Sequence, residues 1–191
     1  MKHLFLASII SLFTTQLNAQ EEPVDGYYID LEGVKHEGKL IYKAITGPPP
    51  SSTATVLFYN GIDKAIKLKP EDIQGAKVGE AEYVSIIALD YKREHEEFAT
   101  IIEDGDLMLY AIPIAEMGAK RTATEKYWYV YAIGMKGEDE IHILGNNKRS
   151  RTLFADLVKD KNSSLSAKIL DMDNYKYIAK IEELVQEYNG E

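Results

Sequence analysis

From Gly26 to Leu144, short apolar runs alternate with tight-turn signals, the pattern of strands that bury one face. Gly26 to Leu31 and His36 to Ile45 flank Glu32-Gly33, and Thr55 to Tyr59 and Ile62 to Leu68 flank Asn60-Gly61. Asn-Gly is the strongest short hairpin signal, because both central residues of the favoured turn need positive φ. Further runs lie at Tyr83 to Leu89, Phe98 to Ile102, Leu107 to Ile112, Tyr127 to Ile133 and Glu140 to Leu144, with Asp104-Gly105 and Lys136-Gly137 as joints. Connections this short make neighbouring strands antiparallel, so the expectation over 26–144 is a meander of about eight to ten strands. Gly47-Pro48-Pro49-Pro50-Ser51-Ser52 reads as a stiff exposed loop, since proline donates nothing to a ladder.

Near Lys148 the period lengthens. Leu153, Phe154, Leu157 and Val158 fall on one helix face, as do Ile178, Ile181, Val185 and Tyr188. Asn162-Ser163-Ser164 caps a short helix bearing Leu165 and Ile169, Asn174 is placed to cap the last helix, and Asn189-Gly190 supplies a stop. Two or three amphipathic helices over 148–190 need an apolar surface, and the sheet offers one. The fold class that follows is α+β: an antiparallel β-meander forming a curved or part-closed sheet, with the C-terminal helices packed on it.

The N-terminus is organised differently. Met1-Lys2-His3 precedes an apolar run from Leu4 to Phe13, and Leu17-Asn18-Ala19 stands before Gln20. That charged, apolar, small-residue order is that of a secretory signal, with cleavage expected between Ala19 and Gln20. Its apolar stretch is about half the length of a membrane span. The expected organisation is a leader at 1–19 and a single domain at 20–191, exported to the periplasm or beyond. With no cysteine in the chain, disulfides and thiol chemistry are excluded, and so is a lipid anchor on a cysteine after the cut. Removing 19 of the 191 residues leaves 172, and the net charge moves from −9 to −10 because the leader carries only Lys2. An acidic balance disfavours nucleic acid as a partner, and no later stretch reaches membrane-spanning length. The mature domain is therefore expected to be soluble, with an unknown protein or a small molecule as partner.

Candidate chemistry is sparse. His95-Glu96-Glu97-Phe98-Ala99 and His36-Glu37-Gly38-Lys39-Leu40 begin like a zinc-protease helix but lack the second histidine that would complete the ligand pair. Asp171-Met172-Asp173-Asn174 begins like a calcium loop, yet Lys176 stands where the loop needs glycine. Glu103-Asp104-Gly105-Asp106 fits a solvated hairpin turn. No serine lies in a nucleophile elbow or a Ser-x-x-Lys arrangement, and there is no glycine-rich phosphate cradle. No catalytic residue, metal site or cofactor is assigned. The most distinctive feature is Tyr127-Trp128-Tyr129-Val130-Tyr131, which puts Tyr127, Tyr129 and Tyr131 on one strand face. A tyrosine row offers flat apolar area with hydroxyls, suited to a ligand cleft or to an ordinary sheet face.

Gly26-Tyr27-Tyr28-Ile29, Gly33 and Glu37-Gly38-Lys39-Leu40, followed by Lys69-Pro70-Glu71-Asp72-Ile73-Gln74-Gly75 and Ile181-Glu182-Glu183-Leu184-Val185-Gln186-Glu187-Tyr188-Asn189, resemble an exported family of unknown function common in Bacteroidota. The resemblance implies a bacterial envelope protein and imports no catalytic residues. The leading expectation is a non-catalytic binding or envelope-assembly protein. The alternative is a small-molecule-binding β-barrel lined by the tyrosine row, although the Gly-x-Trp of lipocalins is replaced by Gly26-Tyr27-Tyr28. A hydrolase with dispersed carboxylates is the third.

Overall fold

A computed structural model describes residues 22–46, 54–61, 64–90, 93–115 and 127–190. The leader at 1–19, the Ala19–Gln20 junction and the proline loop at 47–52 lie outside the described residues. In chain order the strands are β1 (Val24–Asp30), β2 (Lys35–Lys43), β3 (Ile45–Thr46), β4 (Thr55–Tyr59), β5 (Ile66–Leu68), β6 (Ile73–Val78), β7 (Ala81–Asp90), β8 (Arg93–Glu103), β9 (Leu107–Ala115), β10 (Tyr127–Met135) and β11 (Ile141–Ile143). Helices α1 (Lys148–Val158), α2 (Ser163–Asp171), α3 (Asn174–Ala179) and α4 (Ile181–Asn189) follow. The class is α+β, with the helices segregated at the C-terminal end as the periodicity predicts.

The sheet closes on itself. Strands β7 to β11 pair in order, and β11 returns to β7 through a parallel pairing of Ile141 with Ala88 and His142 with Leu89, making a five-stranded barrel. From β7 the sheet also runs the other way, through β6, β1, β2, β4 and β5. Beyond Ala44, β3 continues the line of β2 and pairs in parallel with the end of β9, Ile45 with Ile114 and Thr46 with Ala115. That contact brings the far side of the sheet back to the barrel, so β7, β8 and β9 serve two enclosures.

Three cores result. Ile86, Ala88, Ala99, Ile112 and Ala132 fill the barrel, with Val130, Ile141 and Ile143 packed against them. Five strands enclose a narrow bore that side chains fill completely, and the alanines fit that width. On the opposite face of β7 and β8 lies an aromatic core of Leu40, Tyr42, Val56, Phe58 and Phe98, with Tyr83 stacked on Tyr42 at 4.2 Å between ring centroids. The third core joins the outer face of β9 and β10 (Leu107, Leu109, Ile133) to Phe154, Val158, Ile169, Leu184 and Val185 of the helices.

Several expectations change in detail. β6 escaped the sequence pattern because Gly75 and Lys77 interrupt its alternation; it is a strand because β1 and β7 flank it. Its two-residue link to β7 depends on Gly79, at φ 60°, where a side chain would be strained. β5 begins at Ile66 rather than Ile62, since Phe58 pairs with Ile66 across a loop wider than the Asn-Gly signal implies. The last predicted helix divides at Lys180 into α3 and α4, and its cap is Asp173, whose Oδ1 accepts from Lys176 N at 2.8 Å, not Asn174. Asn162 caps α2 as expected, accepting from Leu165 N at 2.8 Å. Two glycines in the family-like opening have a packing reason: Gly26 and Gly38 face each other across β1 and β2, and a Cβ on Gly26 would lie 2.0 Å from the Lys77 carbonyl oxygen.

Candidate functional site

Two places in this architecture concentrate polar groups against apolar walls. The first is inside the barrel. β8 is extended, so residues two apart share a face: Glu97 stands opposite Ile86 and His95 opposite Ala88 on β7. Glu97 is 3% exposed, and its Oε2 has no hydrogen-bond partner among the described residues. The His95 Nε2 is likewise buried without a partner among them. Burial pushes the Glu97 carboxyl up to about 7, because among the described residues no cation or donor offsets the loss of water around the charge. Sequence reasoning met these two residues as a failed zinc helix; on a strand, the period of two sends both inward.

The second place is a cleft of about 230 Å³ at the barrel rim. Val130 and Ile143, which also pack against the barrel core, contribute to its walls. Leu89 and Asp90 enter from the end of β7, and Asn147, Arg149, Ser150 and Leu153 from the start of α1. The turn from β11 into α1 is held from both sides. Gly145 N donates to the Ser150 Oγ at 2.9 Å, Ser150 N donates to the Asn147 Oδ1 at 3.0 Å, and the buried Tyr177 hydroxyl donates to the Gly145 carbonyl. Burial pushes Tyr177 up to about 12, so its proton stays in place as a donor at ordinary pH. Tyr177→Phe is expected to cost about 1–1.5 kcal/mol, the net worth of one such bond, read as a lower urea midpoint with an unchanged slope. A wider trough along the outside of α1 shares Arg149 and Leu153 with this cleft.

The tyrosine row lies elsewhere. Val130 and Ala132 face the barrel, so Tyr129 and Tyr131 point to its outer side. Tyr129 is 53% exposed. Tyr131 packs against the helical core and donates its hydroxyl to the Glu182 Oε1 at 2.8 Å. Burial first, and then the bond to Glu182, pushes it up to about 12. The side chain of Tyr127 lies outside the described residues.

The remaining acidic motifs have structural partners. Asp104 pairs with Lys136 at 2.7 Å, Asp106 with Lys161 at 3.0 Å, and Glu103 accepts from Gln186. Among the described residues, no group of three or more His, Cys, Asp or Glu side chains is placed to hold a metal ion, and no helix is long and apolar enough to cross a membrane. His36 stacks on Tyr28 and bonds to the Asp30 Oδ2 at 2.7 Å, which holds the Asp30 carboxyl below its usual value and closes the first hairpin.

The rim cleft left little trace in the sequence. Its residues come from three strands, the turn after β11 and the start of one helix, and only the closure of β11 onto β7 assembles them. Comparison with protein-family models, curated proteins and solved structures finds no match to this chain.

Proposed function

We infer that this is an exported small-molecule-binding protein, with the ligand seated in the rim cleft. The observation that carries the reading is the filled barrel: its bore is occupied by Ile86, Ala88, Ala99, Ile112 and Ala132, so a guest rests at the mouth and not in the channel. There Leu89, Val130, Ile143 and Leu153 provide apolar contact, and Asp90, Asn147, Arg149 and Ser150 provide polar anchors. Apolar walls with a few convergent polar groups are the usual character of a small-ligand site. The volume of about 230 Å³ suits a compact molecule with an apolar body and a polar head. Export, read from residues 1–19, and membership of the Bacteroidota envelope family resembled by the Gly26 to Leu40 opening belong to the same proposal. The envelope-assembly alternative rests on that resemblance.

Leu153→Trp tests the site, because an indole on the first half of α1 fills the cleft while leaving the barrel core untouched. Native mass spectra of the mature protein from its own host are expected to show a small-molecule adduct that the variant lacks at equal thermal stability. An adduct of the same mass and occupancy in both proteins would remove the ligand from this cleft. A bare mass in the wild-type protein, with no thermal shift from any member of a panel of small amphiphiles, would end the binding reading.

A further inference from the structure

The rim cleft holds two opposite charges that do not neutralise each other. Asp90 continues the inward-facing line of Ile86 and Ala88 to the mouth of the barrel. It is half-buried, and among the described residues its carboxylate has neither an ion pair nor a side-chain hydrogen bond, although Arg93 stands opposite it in register. His142, which also lines the cleft, lies 3.5 Å from the Glu140 carboxylate instead. Arg149 enters the cleft from a different wall, the start of α1, and no ion pair joins it to Asp90.

The start of α1 adds to the positive side. Its first turn holds Lys148 and Arg149 and no acidic residue, so two cations stand where the helix dipole is already positive. A bound carboxylate relieves that repulsion. A simple anion, however, would leave Asp90 unpaired beside a like charge, and a simple amine would set its cation against Arg149. A ligand carrying both charges satisfies both walls without adding net charge. The cleft's volume of about 230 Å³ falls below the roughly 300–1,000 Å³ of pockets for drug-sized ligands, so the guest is small. Leu89, Val130, Ile143 and Leu153 leave apolar surface for its body.

We propose that the rim cleft takes a free α-amino acid with an apolar side chain: its ammonium meets Asp90, its carboxylate meets Arg149 at the positive end of α1, and its side chain rests on the apolar wall. This ligand class rests on the reading of the cleft as the binding site. Binding is non-covalent and moves no proton.

Calorimetric titration of the full mature chain with leucine, N-acetylleucine, leucinamide and the uncharged N-acetylleucinamide tests it. Free leucine is expected to bind most tightly, and masking either charge to weaken binding at least roughly tenfold, since each mask removes a charge-assisted bond. In Asp90→Asn the penalty for masking the amine is expected to vanish, and in Arg149→Gln the penalty for masking the carboxylate. Leucine binding no tighter than either singly masked form would overturn the zwitterion. If Leu153→Trp abolished that unselective binding, the cleft would still be the ligand site. No binding of leucine at all would overturn the proposal too, while the adduct spectra decide separately whether the cleft holds another guest. Should either charge variant fail to fold, the four ligands on the wild type decide the matter alone.

Discussion

Glu97→Gln is expected to make the protein more stable at alkaline pH and to leave it nearly unchanged in acid. Glu97 is held at about 7 in the folded chain against an ordinary value of 4.5. Below the unfolded value both states carry the proton, and the residue contributes no pH dependence. Between the two values the folded state keeps a proton that the unfolded state has lost, so stability falls as pH rises. Above the folded value the whole cost is present. A shift of this size corresponds to roughly 3 kcal/mol. The amide has the shape of the neutral acid and never ionises, so it removes the dependence. Urea midpoints from about pH 4 to pH 9 are expected to decline for the wild type and to run flatter for the variant, the gap opening above neutrality. Parallel curves for the two proteins would show that Glu97 has a partner or water in solution.

Phe154→Ala is expected to cost about 3–5 kcal/mol, the largest single loss of those considered. Phe154 is fully buried on α1, within the core that joins the helices to Leu107, Leu109 and Ile133 on the outer barrel. Removing its ring leaves a cavity that strands on one side and helices on the other can collapse into only partly. The helical layer has other attachments: the Asn189 side chain accepts from Leu107 N and donates to the Leu107 carbonyl, both at 2.9 Å, and Tyr131 holds Glu182. These polar ties fix register rather than supplying the bulk of the burial energy. Equilibrium denaturation should therefore show a lower midpoint with one cooperative transition. A loss of less than about 1 kcal/mol would mean that the helices close over the gap.

Much of the architecture is written locally. The turns at Glu32-Gly33 and Lys136-Gly137, the change of period near Lys148 and the cap at Asn162 each depend on residues within a few positions of one another, and such signals survive any tertiary context that tolerates them. β6 and β3 were illegible for the opposite reason. Gly75 and Lys77 break the alternation of one, and the other is two residues long, so only their neighbours make them strands. The split at Lys180 was hidden because the apolar face runs on across it: Tyr177, Ile181, Leu184 and Val185 are all buried. Glu97 is the sharpest case. Nothing within the run His95-Glu96-Glu97 separates the buried glutamate from the exposed one beside it. Its burial follows from the strand period of two, which turns Glu97 toward the barrel core while Glu96 lies on the other face, exposed.

The order of strands and helices, the antiparallel habit and the amphipathic tail are consequences of side-chain period and turn chemistry, and the chain alone determined them. Closure was decided elsewhere. Whether β11 returns to β7, and whether β3 reaches β9, depends on hydrogen bonds between segments about fifty to seventy residues apart, whose cost and gain no local pattern records. That closure brings Asp90 beside Arg149 at the rim and shuts Glu97 away from water in the barrel wall.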